Sequence, residues 1–160
     1  MKINGSISVN GLRTHYTIHG KEENPPLVYS HGIPAGAFQL HPVNRRKKVL
    51  ETLGDYFHIF WFSHPGFNGA EFPKKLMTMG DFARHMKKFV EKMGIKKPVI
   101  AGKSFGGGIA AQYAQMYPDD IKGLVLIDSG TYESRDTYMY GAAKIALRVL
   151  KKLNVKNNKD

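Results

Sequence analysis

Ser104 has glycine two residues away on each side, in Gly102-Lys103-Ser104-Phe105-Gly106. A G-x-S-x-G does chemistry when it falls at a strand–turn–helix junction, where a sharp turn lifts the serine hydroxyl clear of a sheet as a nucleophile. Such a serine is expected at positive φ, which a residue other than glycine adopts only when its surroundings force it. The glycines remove Cβ atoms that would collide where strand and helix nearly touch. Attack on a carbonyl also needs two N–H donors aimed at the developing oxyanion. The backbone N–H of Phe105 is one candidate, since it follows the nucleophile at a helix N-terminus, where the dipole favours negative charge. The backbone N–H of Ile33 is the other, in His31-Gly32-Ile33-Pro34, with Gly32 letting that loop come close.

Gly102-Lys103-Ser104 also reads like the end of a phosphate-binding loop, G-x-x-x-x-G-K-[ST]. That motif needs glycine five positions before Gly102, where this chain has Lys97, and residues 98–101 read as strand. The phosphate-loop reading fails on its own requirement.

A serine so placed needs a strand before it and a helix after it. Pro98-Val99-Ile100-Ala101 supplies the first and the small-residue stretch 107–117 the second. Upstream, 2–9 and 12–19 are β-rich and are joined by Asn10-Gly11, a strong hairpin signal. Residues 27–30 and 58–62 read as short strands, and 42–56 as a helix with Val43, Val49, Leu50 and Leu53 facing inward. An amphipathic helix is predicted over 79–93, with Phe82, Met86, Phe89, Val90 and Met93 on one side and Gly94 as its stop. The apolar run 123–127 has the composition of a buried strand. A last helix over 137–153 carries Tyr138, Ala142, Ile145, Val149 and Leu153 on one side, before a polar end at 154–160. Strands alternating with helices predict the α/β class: a mostly parallel sheet flanked by helices.

The 160 residues fit one domain able to bury a sizeable core. Zero cysteines exclude disulfides, cysteine nucleophiles and thiolate metal sites. With no apolar leader and no membrane-length apolar run, a cytoplasmic protein is expected. The formal net charge of +11 raises nucleic acid as a partner. However, the lysines and arginines fall on several separate elements, and no zinc spacing or RNA-binding aromatic strand accompanies them, so they read as solvated helix faces.

Three segments resemble the N-terminal part of the α/β-hydrolase family, through its sixth strand. They are Val28-Tyr29-Ser30-His31-Gly32-Ile33-Pro34, then Phe62-Ser63-His64-Pro65-Gly66-Phe67-Asn68, then residues 99–129. In the second, Ser63 stands where the family usually has aspartate, and Asn68 where it has glycine. The resemblance implies an α/β-hydrolase-like, C-terminally truncated fold, with 1–130 as the core and 131–160 as the helical start of a cap-like segment with a polar tail. It implies Ser104 as nucleophile, Ile33 and Phe105 as the oxyanion hole, no cofactor and no metal. The expected substrate is a small-molecule carboxylic ester or related acyl compound. Serine at the elbow points to esterases, lipases, C–C bond hydrolases, peptidases and acyltransferases, and away from epoxide hydrolases. Phe38, Phe67 and Phe105 are candidates to line an acyl site or, equally, to pack the core.

In that family the triad runs Ser, then Asp or Glu, then His. All seven histidines here precede Ser104, and the chain stops before the strand that usually carries the acid. The isolated chain is therefore expected to be a weak or inactive hydrolase, with a non-catalytic relative that binds a small ligand or partner as the alternative. Asp128 holds a position that is catalytic in some relatives and structural in most. His31 is expected to pack beneath the oxyanion loop. With no seventh strand, 124–127 becomes an exposed edge that invites self-association.

Overall fold

Asn10-Gly11 does turn the chain. β1 (Lys2–Val9) and β2 (Leu12–His19) pair antiparallel from Lys2↔His19 to Val9↔Leu12. Asn10 and Gly11 take φ of 50° and 76°, the double positive φ that lets a two-residue turn follow the strand twist. The computed structural model describes residues 2–33 and 52–129. β3 (Pro26–Ser30), β4 (His58–Phe62), β5 (Val99–Lys103) and β6 (Gly123–Ile127) complete a six-stranded sheet. Its order is β1-β2-β4-β3-β5-β6. β2 meets β4 antiparallel, and β4, β3, β5 and β6 run parallel. The predicted α/β class and mostly parallel sheet are therefore present.

Strand alternation divides the apolar residues between two faces. Val28, Phe60, Phe62 and Ile100 point to the main core, whereas Leu27, Ile59 and Ala101 form a smaller cluster behind them. Register aligns the two sets: Val28 lies beside Phe60 and Ile100, and Leu27 beside Ile59 and Val99. Helix α1 (Met79–Lys92) covers the main face with Phe82, Ala83, Met86, Phe89 and Val90, all buried. Phe89 stacks on Phe62 at 4.6 Å between ring centroids. Helix α2 (Phe105–Met116) adds Ile109, Ala110 and Tyr113 to the same core.

α1 begins in a capping box. Thr78 Oγ1 accepts from Asp81 N–H at 3.1 Å, and Asp81 Oδ2 accepts from Thr78 N–H at 2.8 Å. Those bonds satisfy two backbone donors that the first turn otherwise leaves unpaired. They also hold the Asp81 carboxyl down at about 2, the Thr78 backbone bond first among the causes. At the other end Met93 caps the helix and Gly94 takes φ of +66°.

Two expectations are corrected. Leu53 does not face inward: it is 37% exposed, and the helix that reaches it ends at residue 54. β6 forms where predicted but is not buried: Leu124, Val125, Leu126 and Ile127 are 38–49% exposed. β6 is the last strand in the sheet order, so among the described strands β5 alone flanks it. The helix predicted over 137–153, with the cap-like segment, and Val43, Val49 and Leu50 lie outside the described residues. No described helix is long and apolar enough to cross a membrane.

Candidate active site

The residue at the β5–α2 junction takes a backbone that few residues tolerate. Ser104 has φ 51° and ψ −120° and is exposed. Its N–H donates to Ile127 O at 3.0 Å, and its carbonyl accepts from Gly107 N–H at 2.9 Å. The turn is thus held from β6 on one side and from its own helix on the other. Gly102 and Gly106 make it sterically feasible. A Cβ on Gly102 would overlap the Gly106 carbonyl, and one on Gly106 would overlap the carbonyl oxygens of Ser30 and His31. Strand β5, helix α2 and the end of β3 therefore meet backbone to backbone at this point.

The segment after β3 lies directly against the serine. A Cβ built on Gly32 would stand 3.3 Å from Ser104 Cβ and 3.9 Å from Ser104 Oγ. Ile33 is the next residue and is half-exposed. Phe105 is the first residue of α2, where a backbone N–H has no acceptor within the helix. Its ring is buried, edge-on to Phe82 at 5.3 Å and 5.9 Å from Phe67. Phe67 and Phe105 are consequently core residues in their side chains, and Phe38 lies outside the described residues.

The histidines near this end of the sheet are committed to the scaffold. His31 Nε2 accepts from His64 N–H at 3.1 Å and from the Asn68 side-chain amide at 3.3 Å. Its Nδ1–H is then the donor to Gly32 O, at 2.7 Å. The ring packs against His64 at 4.5 Å and Trp61 at 5.4 Å. It sits beneath the 31–33 loop, as expected. His64 is fully buried and shares a 2.8 Å hydrogen bond with Ser30 Oγ, while its Nδ1 has no partner. Burial first, then the charges of His31 and His85, hold its pKa well below the ordinary imidazole value. His85 on α1 is buried too. Thr14 Oγ1 donates to Leu12 O and so accepts from His85 Nε2 at 3.1 Å, and burial lowers the His85 pKa to about 4.

Ser63 and Asn68, the two departures from the expected loop, form a turn of their own. Ser63 is buried, donates its N–H to His15 O at 2.8 Å and its hydroxyl to Asn68 O at 3.4 Å. Asn68 takes φ of 49°, the left-handed region asparagine tolerates best after glycine. Its side-chain amide on His31 was not legible from sequence, because only the fold brings positions 31 and 68 together. Asp128 also has positive φ, at 46°, and its carboxylate is 79% exposed, 3.8 Å from Lys103 Nζ. Among the described residues no group of three histidines or carboxylates is placed to hold a metal ion.

Residues 25–152 match the family model described as alpha/beta hydrolase fold. The chain is 31% identical over 126 residues to a proline iminopeptidase of Arabidopsis thaliana, covering 76% of this chain and 31% of that protein. It is 22% identical over 121 residues to epoxide hydrolase 1 of Caenorhabditis elegans, covering 74% and 28%. Among solved structures it is similar to a membrane phospholipase A described as a bacterial virulence factor, with a TM-score of 0.72 and 26% identity. That similarity covers 90% of this chain and 45% of the other. The chain thus spans less than half the length of each of these relatives.

Proposed function

The chain belongs to the alpha/beta hydrolase fold family, and on that premise we propose that Ser104 is the nucleophile of a serine hydrolase acting on a carboxylic ester or related acyl compound. The observation that carries this reading is the backbone of Ser104, φ 51° and ψ −120°, with its side chain exposed beside Gly32. Ser104 Oγ would attack the substrate carbonyl, forming a tetrahedral oxyanion and then an acyl-enzyme that water hydrolyses. The backbone N–H groups of Ile33 and Phe105 would hold that oxyanion. The similarity to an iminopeptidase and to a phospholipase A supports acyl chemistry. Serine at the nucleophile position argues against the chemistry named in the epoxide hydrolase relative.

The serine needs a base. Every histidine of the chain precedes Ser104, against the family order, and His31, His64 and His85 are buried in the scaffold. We therefore expect the 160-residue chain alone to retain only the catalysis that oxyanion binding provides, roughly 10³–10⁴-fold over water. The same observation favours a second reading, a non-catalytic relative that binds a small ligand or partner protein above Ser104.

A fluorophosphonate probe, read by intact mass beside Ser104→Ala, separates the two. Stoichiometric labelling of the folded chain, lost in the variant, establishes an activated Ser104 and overturns the expected weakness. Slow, Ser104-dependent labelling is the expected result. No labelling of a folded sample leaves the non-catalytic reading.

A further inference from the structure

Asn68 stands where the α/β-hydrolase family usually has glycine, and its side chain reaches under the loop that touches Ser104. The amide donates to His31 Nε2 at 3.3 Å, and the backbone N–H of His64 donates to the same nitrogen at 3.1 Å. A backbone N–H can only donate, so Nε2 is bare and the neutral ring carries its proton on Nδ1. Nδ1 faces the Gly32 carbonyl at 2.7 Å. That oxygen can only accept, which demands the same tautomer. In a trans peptide unit the C=O and N–H point in opposite directions. Holding Gly32 O on the ring therefore turns the N–H of Ile33 away from the ring. The ring is buried against His64 and Phe67, so the amide is turned out of the scaffold, next to the glycine that lies against Ser104.

We propose that Asn68, acting through the His31 ring, is a positioning residue for the Ile33 N–H in the oxyanion hole. This rests on the reading of Ser104 as nucleophile. Asn68 meets no substrate: it holds the ring, the ring holds the Gly32 carbonyl, and that carbonyl sets the direction of the amide. A half-turn of the ring about its bond to Cβ would exchange Nδ1 with Cδ2 and Nε2 with Cε1. It would release Gly32 O and strip the buried His64 N–H of its acceptor. Every donor on Nε2 weighs against that half-turn. Asn68 supplies the second such donor, and glycine at this position would supply none. A donor placed by its own fixed support is what an oxyanion site needs, because its alignment must precede the reaction.

Two measurements on the 160-residue chain test this, and the first does not depend on Ser104. Two-bond proton–nitrogen correlation spectra of the histidine rings should show His31 with its proton on Nδ1. Asn68→Gly should move the backbone amide resonance of Ile33. Glycine suits φ of 49° and the position is exposed, so this variant loses the side-chain amide and keeps the turn. A proton on Nε2, or an Ile33 resonance indifferent to Asn68→Gly, overturns the proposal. The second measurement is the rate at which the fluorophosphonate probe labels Ser104. Asn68→Gly should slow it about fivefold, the weight of one ordinary hydrogen bond. His31→Leu should slow it about 10²-fold, as for a lost oxyanion donor. His31→Asn, whose amide reaches the place of Nδ1, should restore most of that rate. A wild-type rate in Asn68→Gly, or His31→Asn no faster than His31→Leu, overturns the proposal, and Asn68→Gly carries the test should His31→Leu not fold. Absence of Ser104 labelling in the unaltered chain overturns the nucleophile reading instead, and the spectra still decide whether Asn68 positions the Ile33 amide.

Discussion

At the scale of single residues, the most consequential choices are polar groups placed where water cannot reach. His64 and His85 are buried, and each leaves Nδ1 without a hydrogen bond. Both are held neutral, because their folded pKa values lie below the ordinary 6.5 of an exposed imidazole. The unfolded chain therefore binds more protons than the folded one as pH falls below about 6.5. Stability is fully present above that pH and is lost as pH drops towards 4, the value to which burial lowers His85. Each histidine contributes a slope of about 1.4 kcal/mol per pH unit in that window. Urea unfolding at pH 7 and pH 5 should show the wild-type chain weakened at the lower pH. His85→Gln, which keeps a donor for Thr14 but does not titrate, should flatten the slope by about one proton. An unchanged slope would mean that His85 does not remain neutral in the folded protein. None of this was legible from the sequence, where His64 and His85 look like any histidine near an apolar segment. The strained turn at Ser104 was legible, because glycine at both flanks is a local signal that needs no knowledge of the fold.

At the scale of elements, local pattern and tertiary outcome agree where a segment carries its own punctuation. Asn10-Gly11 fixed the hairpin, and Gly94 marked the end of α1 within a residue. Thr78 and Asp81 cap that helix from both directions, and Arg84 holds Asp81 Oδ1 at 2.7 Å. Thr78→Ala should cost about 1 kcal/mol, the usual value for a lost N-cap, read as a shift in urea midpoint with unchanged m-value. A loss under a few tenths of a kcal/mol would show that the box adds nothing to the packed helix. β6 misled a reading from composition alone, since five uncharged residues look the same in the middle of a sheet and at its edge. What decides is the neighbour on the far side, and the sequence of the strand does not encode it. Leu53 misled for a related reason: helical spacing assigns a face without saying where the helix stops.

At the scale of the whole molecule, strand order is what no local pattern supplied. β4 lies between β2 and β3, although it follows both in the chain, a crossover that no expectation from the sequence specified. One bond joins this scale back to the first. The amide of Ser104 is tied to the carbonyl of Ile127, so a turn that stores about 1–3 kcal/mol of conformational strain is moored to a strand at one end of the described sheet order. Fraying of that strand would let the turn relax and its stored energy leak away. The reactivity proposed for the serine would then follow the order of β6.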